Sequence, residues 1–180
     1  SGSASEGTPT TDARQSDTPP PGEPVARELF GTHVGLLATG TQPLPPRAGA
    51  IRLWDAGVAW RELEPQQGQI NWALMDQAVA QAESTGATDI MWVHGSPPPW
   101  AAKDPESTGL YGPGSASPPK PGAYLDILGQ IAERYRGRIT SYQAWNEANI
   151  SIFYQGSAAN LAKLTGRARE VLAQADPDAL

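Results

Sequence analysis

The sequence predicts an α/β fold in which short parallel strands alternate with helices. Two observations support this prediction. Four apolar runs rich in β-branched or aromatic residues are each bounded by Gly, Pro, Asp or Asn, as buried strands are. They cover residues 33–37, 50–54, 89–93 and 139–145. Amphipathic helical patterns follow the last three runs, and alternation of this kind implies parallel strands joined by crossover helices.

The helical patterns have clear ends. The first stops at Gly86, the second near Gly137, and the third runs from a predicted N-cap at Ser157 to Asp176, which Pro177 follows. Their apolar positions recur at intervals of three and four residues: Leu74, Met75, Ala78, Val79 and Ala82; Tyr124, Ile127, Leu128, Ile131, Ala132 and Tyr135; Leu161, Leu164, Ala168, Val171 and Leu172. The connection between the first two runs differs, because Pro43, Pro45 and Pro46 exclude a normal helix.

The chain divides into a polar leader and one folded domain. Residues 1–24 are rich in Ser, Thr, Gly and Pro, which predicts a disordered leader or linker. Residues 25–180 supply about four strand–helix units, whereas a closed eight-stranded barrel needs about 250 residues. We therefore expect the N-terminal half of a (β/α)8 TIM barrel, that is, a fragment that stops near the start of a fifth strand. A small complete α/β sheet is the alternative.

Composition excludes several classes of function. The formal net charge is −6 and Lys and Arg do not form runs, so nucleic acid and anionic membranes are poor partners. There are no cysteines, which excludes disulfides and thiolate chemistry. No apolar run is long enough for a membrane span, and no signal peptide opens the chain. The polar leader is nevertheless typical of exported bacterial enzymes, so we expect an extracellular or periplasmic location.

Groups capable of chemistry gather at the predicted carboxyl ends of the strands, where sites form in parallel α/β barrels. These groups are His33, Arg52, Trp54, Asp55, His94, Asn146 and Glu147. A rigid proline-rich loop after the third strand adds Trp100. An acid, an amide and flat apolar rings are what a sugar-cleaving site requires. The sequence therefore indicates a carbohydrate as the partner, and we expect no cofactor.

Four blocks of sequence carry a resemblance to a known group of enzymes. The likeness extends over about residues 29–180, and the blocks are the following: Arg52-Leu53-Trp54-Asp55; Trp60-Arg61-Glu62-Leu63-Glu64-Pro65; Gly95-Ser96-Pro97-Pro98-Pro99-Trp100-Ala101; Trp145-Asn146-Glu147-Ala148-Asn149-Ile150. In this order they resemble clan A glycoside hydrolases, above all the family 39 type with its β-xylosidases and α-iduronidases, and bacterial cellulase-like relatives. Ala148 departs from the pattern, because such relatives usually carry Pro there.

The resemblance implies a retaining glycoside hydrolase acting on polysaccharide or oligosaccharide. Glu147 would be the general acid/base, Asn146 would bind the sugar 2-hydroxyl, and Arg52 would keep the nucleophile ionised. Substrate contacts would come from His33, Trp54, Asp55, His94, Trp100, Trp145 and Tyr154. The nucleophile of such enzymes follows the seventh strand, so we expect this fragment alone to be inactive.

Other interpretations stay open. The chain could be a non-catalytic carbohydrate-binding or degenerate barrel protein, or a half-barrel that self-associates through its open sheet edges. At least one of the three site tryptophans is expected in the core, whereas Tyr154 could line a subsite or pack on the last helix. Trp60 and Trp72 are predicted to pack a helix, and Glu62 and Glu64 to form a solvated turn. Two histidines on separate strands are weak evidence for a metal, and none is expected.

Overall fold

The computed structural model describes residues 22, 24–35, 37–40, 44 and 47–180. Within them four parallel strands form one sheet in the order β1-β2-β3-β4. Their bounds are Gly31–His33 (β1), Ala50–Leu53 (β2), Asp89–Val93 (β3) and Ser141–Gln143 (β4). Sequential parallel strands of this kind are the arrangement of part of a (β/α)8 barrel, and the predicted fold class is confirmed.

Helices connect the strands and cover one face of the sheet. They are Trp60–Leu63 (α1), Trp72–Ser84 (α2), Pro121–Arg134 (α3) and Ala158–Ala175 (α4). Single 3-10 turns occupy Arg27–Leu29, Leu37–Thr39 and Pro99–Ala101. The α4 helix begins as predicted, since the hydroxyl of Ser157 accepts a hydrogen bond of 3.2 Å from the backbone N–H of Asn160.

The core lies between the sheet and this helical layer. Ile51 and Leu53 of β2 are paired in register with Ile90 and Trp92 of β3, and all four side chains are buried. The apolar faces of the predicted helices pack against these side chains. Their fully buried members are Met75, Ala78, Val79, Ala82, Tyr124, Ile127, Leu128, Ile131, Ala132 and Tyr135. Apolar periodicity thus identified the face that each helix buries.

The opposite face of the sheet carries the residues that alternate with this core. Arg52 is in register with Met91, and both are only half-buried. A shallow hollow of about 350 Å³ follows this face across β1, β2 and β3. The guanidinium of Arg52 extends across β3 to side chains of β4 and the loop beyond it.

Some strand boundaries differ from the prediction. The first strand is Gly31–His33 rather than 33–37, because the chain turns at Gly35 and then enters a 3-10 turn. The fourth is confined to Ser141–Gln143, since residues 144–147 leave the sheet to form the site. Leu180 hydrogen-bonds beside β4, from its N–H to the carbonyl of Thr140 and from its carbonyl to the N–H of Tyr142. The leader through Pro21, and the prolines at 43, 45 and 46, lie outside the described residues.

Candidate active site

Unusual backbone conformations mark the carboxyl ends of three neighbouring strands. Asp55, Ser96 and Glu147 follow β2, β3 and β4, and their φ angles are +52°, +52° and +43°. Residues with side chains rarely adopt this left-handed region, which costs them about 1–3 kcal/mol. They are the only non-glycine residues with positive φ in the described part of the chain. Strain of this kind concentrates at functional sites, so this edge of the sheet is the candidate site.

A continuous set of hydrogen bonds places Glu147 at this edge. Arg52 Nη2 donates to Gln143 Oε1 at 2.9 Å and to Asn146 Oδ1 at 2.8 Å, and Asn146 Nδ2 lies 3.4 Å from Glu147 Oε2. Asn146 is 5% exposed, whereas Glu147 is exposed to solvent. The structure therefore brings the three predicted catalytic residues together around an open carboxylate.

Gln143 is a member of this network that sequence reasoning missed. Its Oε1 accepts from both Nε and Nη2 of Arg52, and its Nε2 donates to the carbonyl of Trp145 at 2.7 Å. Strand alternation could have indicated Gln143, because it lies on the same face of the sheet as Arg52, with β3 between them. Both acceptors of the guanidinium are neutral amides, and no carboxylate among the described residues pairs with it. Arg52 thus presents an uncompensated positive charge at the site.

Trp54 and Asp55 belong to a second group at the same edge. The hydroxyl of Tyr111 donates to Asp55 Oδ1 at 2.7 Å, and the Tyr111 ring stands edge-on to Trp54 with centroids 5.5 Å apart. Phe153 contacts the other side of Tyr111, with centroids 6.2 Å apart. Burial of the Tyr111 ring, and then its hydrogen bond to Asp55, raise the pKa of the phenol. Tyr111 lies in a 95–120 loop without periodicity, so no pattern pointed to it.

His33 and Trp100 are two further residues that were predicted to contact sugar. His33 is exposed, and its Nε2 contacts the backbone carbonyl of Trp54. Trp100 is partly exposed, and its indole N–H donates to the carbonyl of Glu64 at 2.9 Å. Their contacts with sugar stay predictions. Neither side chain is buried, so both remain accessible.

The expected solvated turn at Glu64 is wrong. Its carboxylate is 4% exposed and accepts hydrogen bonds from the Trp60 indole at 3.0 Å and from the backbone N–H of Gly68 at 2.8 Å. These two hydrogen bonds offset the cost of burying the carboxylate. Glu64 thereby holds α1 and the turn at Gly68 in place. Glu62 does lie at the surface, where its carboxylate accepts from the N–H of Ala59 at 2.8 Å and caps α1.

His94 also requires a correction, because we expected a sugar contact there. The ring is fully buried and stacks between Trp92 and Tyr124, with centroids 4.7 and 3.9 Å away. Its Nε2 pairs with the carbonyl of Tyr124 at 3.0 Å. Burial lowers the pKa of His94 to about 3, so the ring is neutral at physiological pH. The residue follows β3 on the helix side of the sheet and belongs to the core.

The remaining tryptophans and Tyr154 are mainly structural. Trp145 is 7% exposed, and its indole N–H donates to the carbonyl of Phe153 at 2.9 Å. Tyr154 is 5% exposed and packs edge-on against Trp145, which favours packing over a subsite. Trp60 is fully buried, as predicted, and Trp72 packs under the Arg134 guanidinium at 5.0 Å. Trp145 thus supports the loop that carries Glu147.

The described residues show neither a metal-binding cluster nor a membrane-spanning helix. No group of three or more His, Asp or Glu side chains in this part of the chain is placed to hold a metal ion. None of its helices has the length and apolarity to cross a membrane. The candidate site therefore consists of the side chains at the carboxyl edge of the sheet.

Comparison with known proteins agrees with this fold. Residues 50–115 match the family model for β-galactosidases of glycoside hydrolase family 42, and no curated protein matches significantly. Xylanase B from Clostridium stercorarium F9 superposes with a TM-score of 0.56 at 14% identity, over 86% of this chain and 52% of that one. Xylanase 10B from Thermotoga petrophila RKU-1, solved with xylobiose, gives 0.52 at 14% identity, over 87% and 51%.

These matches define a glycosidase-like fold. A xylanase XynB from Paenibacillus barcinonensis superposes similarly, with a TM-score of 0.50 at 16% identity over 74% of this chain and 41% of that one. The chain thus spans about half the length of these xylanases. Resemblance to clan A glycoside hydrolases is supported at the level of the clan, whereas the closer likeness to family 39 stays a prediction.

Proposed function

We propose that this chain carries the general acid/base of a retaining glycoside hydrolase that acts on oligosaccharide or polysaccharide. The observation that supports this most is the position of Glu147. Its exposed carboxylate follows the fourth strand of a glycosidase-like fold. The amide of Asn146 lies beside it and accepts a hydrogen bond from Arg52. A sugar-sized ligand can reach this carboxylate from the open face of the sheet.

Asn146 is oriented for substrate by its neighbours. Arg52 is a donor only, so its contact of 2.8 Å requires the Asn146 atom that faces it to be the carbonyl oxygen. The amide nitrogen therefore points towards Glu147, where it can donate to the 2-hydroxyl of a sugar. A hydrogen bond of this kind strengthens as positive charge develops at the anomeric carbon. Arg52 thus determines which end of the amide the substrate meets.

The proposed reaction uses Glu147 twice. The protonated carboxyl gives its proton to the glycosidic oxygen while the C1–O bond breaks, and a second carboxylate bonds to C1. Glu147 then removes a proton from water, whose oxygen attacks C1 and releases that carboxylate. The uncompensated charge of Arg52 would hold the second carboxylate ionised. Each cycle consumes one water and returns Glu147 to its protonated form.

The second carboxylate is proposed to come from outside these 180 residues. Nearby candidates in the described part of the chain have other roles: Glu64 holds Trp60 and Gly68, Glu62 caps α1, and Asp55 accepts from Tyr111. Hydrolysis of a glycoside therefore requires the remainder of a barrel, and we expect the 180-residue chain alone to be inactive.

The test is Glu147→Gln in the whole protein that includes this chain, assayed on aryl β-glycosides with different leaving groups. Loss of the acid should slow hydrolysis of phenyl glycosides at least a hundredfold but affect dinitrophenyl glycosides little in the bond-breaking step, because their leaving group needs no proton. Glu106→Gln is the control, since Glu106 is an exposed carboxylate in the loop after β3. If Glu147→Gln slowed the hydrolysis of both substrates equally, or left both rates unchanged, the assignment would be contradicted.

A carbohydrate-binding protein without turnover is the second candidate function. The partly exposed rings of Tyr111 and Phe153 favour it, because ring faces can bind sugar without a nucleophile. Trp54, which was also predicted to contact sugar, is only 7% exposed and packs against Tyr111. This candidate predicts affinity for oligosaccharides in the whole protein and no dependence of any hydrolysis on Glu147.

A further inference from the structure

We propose that Asp55, Tyr111 and Phe153 form a second carbohydrate subsite, which binds the neutral pyranose next to the one at Glu147. The inference rests on the proposed function, in that both sugars belong to one oligosaccharide. It adds two residues that the sequence did not single out as sugar contacts. The supporting contacts join three separate loops at the carboxyl edge of the sheet.

Tyr111 connects these loops. It belongs to the loop between β3 and α3, yet its hydroxyl bonds to Asp55 after β2 at 2.7 Å and its ring contacts Phe153 after β4. The residue is half-buried, so part of the ring remains accessible. Tyr111 therefore links Asp55, after β2, to the loop after β4 that also carries Glu147.

One carboxylate oxygen of Asp55 is available to accept a hydrogen bond from a ligand. Its Oδ1 accepts from Tyr111, whereas Oδ2 makes no hydrogen bond with the described residues, and the side chain is exposed. Its φ of +52° is a strained conformation that Tyr111 helps to hold. A fixed carboxylate oxygen accepts from the hydroxyls of a neutral sugar, and the adjoining ring packs on its C–H face.

The loop that carries Tyr111 is ordered before any ligand binds. The backbone N–H of Leu110 donates to the carbonyl of Ile152 at 3.2 Å, and Gln155 Nε2 donates to the carbonyl of Thr108 at 2.6 Å. Gly109 is required here, because a Cβ would lie 2.2 Å from Ser115 Oγ. A loop held in this way loses little entropy when it binds a ligand.

Exposed apolar side chains extend the subsite along the same two loops. Leu110, Ile150 and Ile152 are 54%, 40% and 43% exposed. The backbone N–H of Ile150 donates to the carbonyl of Glu147 at 2.9 Å, so this surface is continuous with the candidate acid/base. An extended chain of sugars has apolar faces that suit such a surface, whereas a single monosaccharide would leave it uncovered.

The test measures binding by the 180-residue chain, with xylotetraose, cellotetraose and xylose as probes in calorimetry. We expect at least one tetrasaccharide to bind more tightly than xylose. Tyr111→Ala should weaken that affinity about tenfold, since the ring and the support of Asp55 are both lost. Tyr111→Phe and Asp55→Asn, which keep the shape of the site, should each weaken it a few-fold. Phe30→Ala is the control, because Phe30 is an exposed aromatic residue that lies before β1 at the opposite end of the sheet.

Two outcomes would overturn the subsite: equal tetrasaccharide affinity in wild type, Tyr111→Phe and Asp55→Asn, or no measurable binding of either tetrasaccharide by the folded chain. The near-ultraviolet circular dichroism of each variant shows whether it is folded. Failure of this proposal is distinguishable from failure of the proposed function. Hydrolysis of aryl monosaccharides depends on Glu147 and does not require the second subsite. The hydrolysis test and the binding test can therefore fail independently.

Discussion

Glu147 occupies a conformation that an ordinary surface glutamate would avoid. Its φ of +43° is costly for a residue with a long side chain, and no contact of its carboxylate other than that to Asn146 compensates the cost within the described residues. Backbone conformations of this kind cluster at functional sites, which fits a functional role of the carboxylate. The sequence suggested Glu147 from its neighbours, but the strain became visible only in the structure.

This strain predicts a trade between stability and activity. Asn adopts the left-handed region more readily than Glu, so Glu147→Asn should raise the free energy of unfolding by about 0.5–1 kcal/mol while abolishing acid/base function. Urea unfolding measures the change. Glu170→Asn, on the exposed face of α4, is the control and should lower stability slightly, because Asn is a poorer helix former. Destabilisation by Glu147→Asn would argue against the strain.

His94 predicts a pH dependence of stability. Burial lowers its pKa from 6.5 to about 3. Between these two pH values the histidine is protonated in the unfolded chain but neutral in the folded chain. The stabilisation is complete above pH 6.5 and declines as the pH falls towards 3, with a slope of up to about 1.4 kcal/mol per unit. Urea unfolding between pH 7 and 5 should show this slope, and His94→Phe should remove it. His33→Phe, which replaces the exposed histidine, should keep it; an unchanged slope in His94→Phe would refute the assignment.

At the scale of elements, helices were easier to predict than strands or loops. The helices α2, α3 and α4 each have an apolar stripe several turns long, so their positions and buried faces followed from spacing. Strands of three to five residues carry too few alternations to fix their ends, and the first was misplaced. The loop 95–120 has no periodicity, so the position of Tyr111 depends on tertiary contacts that no local pattern encodes. His94 was misassigned for the same reason, because the direction of a side chain beyond a strand end depends on its neighbours.

The α1 segment offers a matched pair of carboxylates. Glu64→Ala leaves the Trp60 indole and the Gly68 N–H without acceptors in a buried region, so it should cost about 2–4 kcal/mol. Glu62→Ala removes only an exposed cap and should cost about 0.5–1 kcal/mol. Chemical unfolding followed by tryptophan fluorescence measures both. Equal costs would mean that burial of Glu64 contributes nothing.

At the scale of the whole molecule, the sheet is open. Within the described residues, β1 has a strand neighbour on one side only, and beside β4 lies Leu180 with a largely apolar cavity of about 490 Å³ that also involves α3 and α4. The order of strands and helices was predictable from alternation, because right-handed crossovers leave few alternatives. The side chains that would complete the proposed barrel could not be inferred, since no contact with them is seen in the described residues.

Open edges of this kind predict self-association of the 180-residue chain. Unpaired backbone groups and uncovered apolar surface favour pairing between copies, so sedimentation velocity should show oligomers whose fraction rises with concentration. Thr32→Lys, which adds a charge to the β1 edge, should reduce that fraction, whereas Ser84→Lys at the end of α2 should not. A strictly monomeric wild-type chain would contradict the prediction.

The most direct test of the central claim is chemical rescue of Glu147→Ala in the whole protein. With an activated aryl β-glycoside, this variant should accumulate a glycosyl-enzyme, since no base activates water. Added azide needs no base, so it should restore turnover at least tenfold and yield a glycosyl azide of the same anomeric configuration as the substrate. Wild-type activity in Glu147→Ala, or azide that neither accelerates turnover nor appears in the product, would show that Glu147 is not the acid/base.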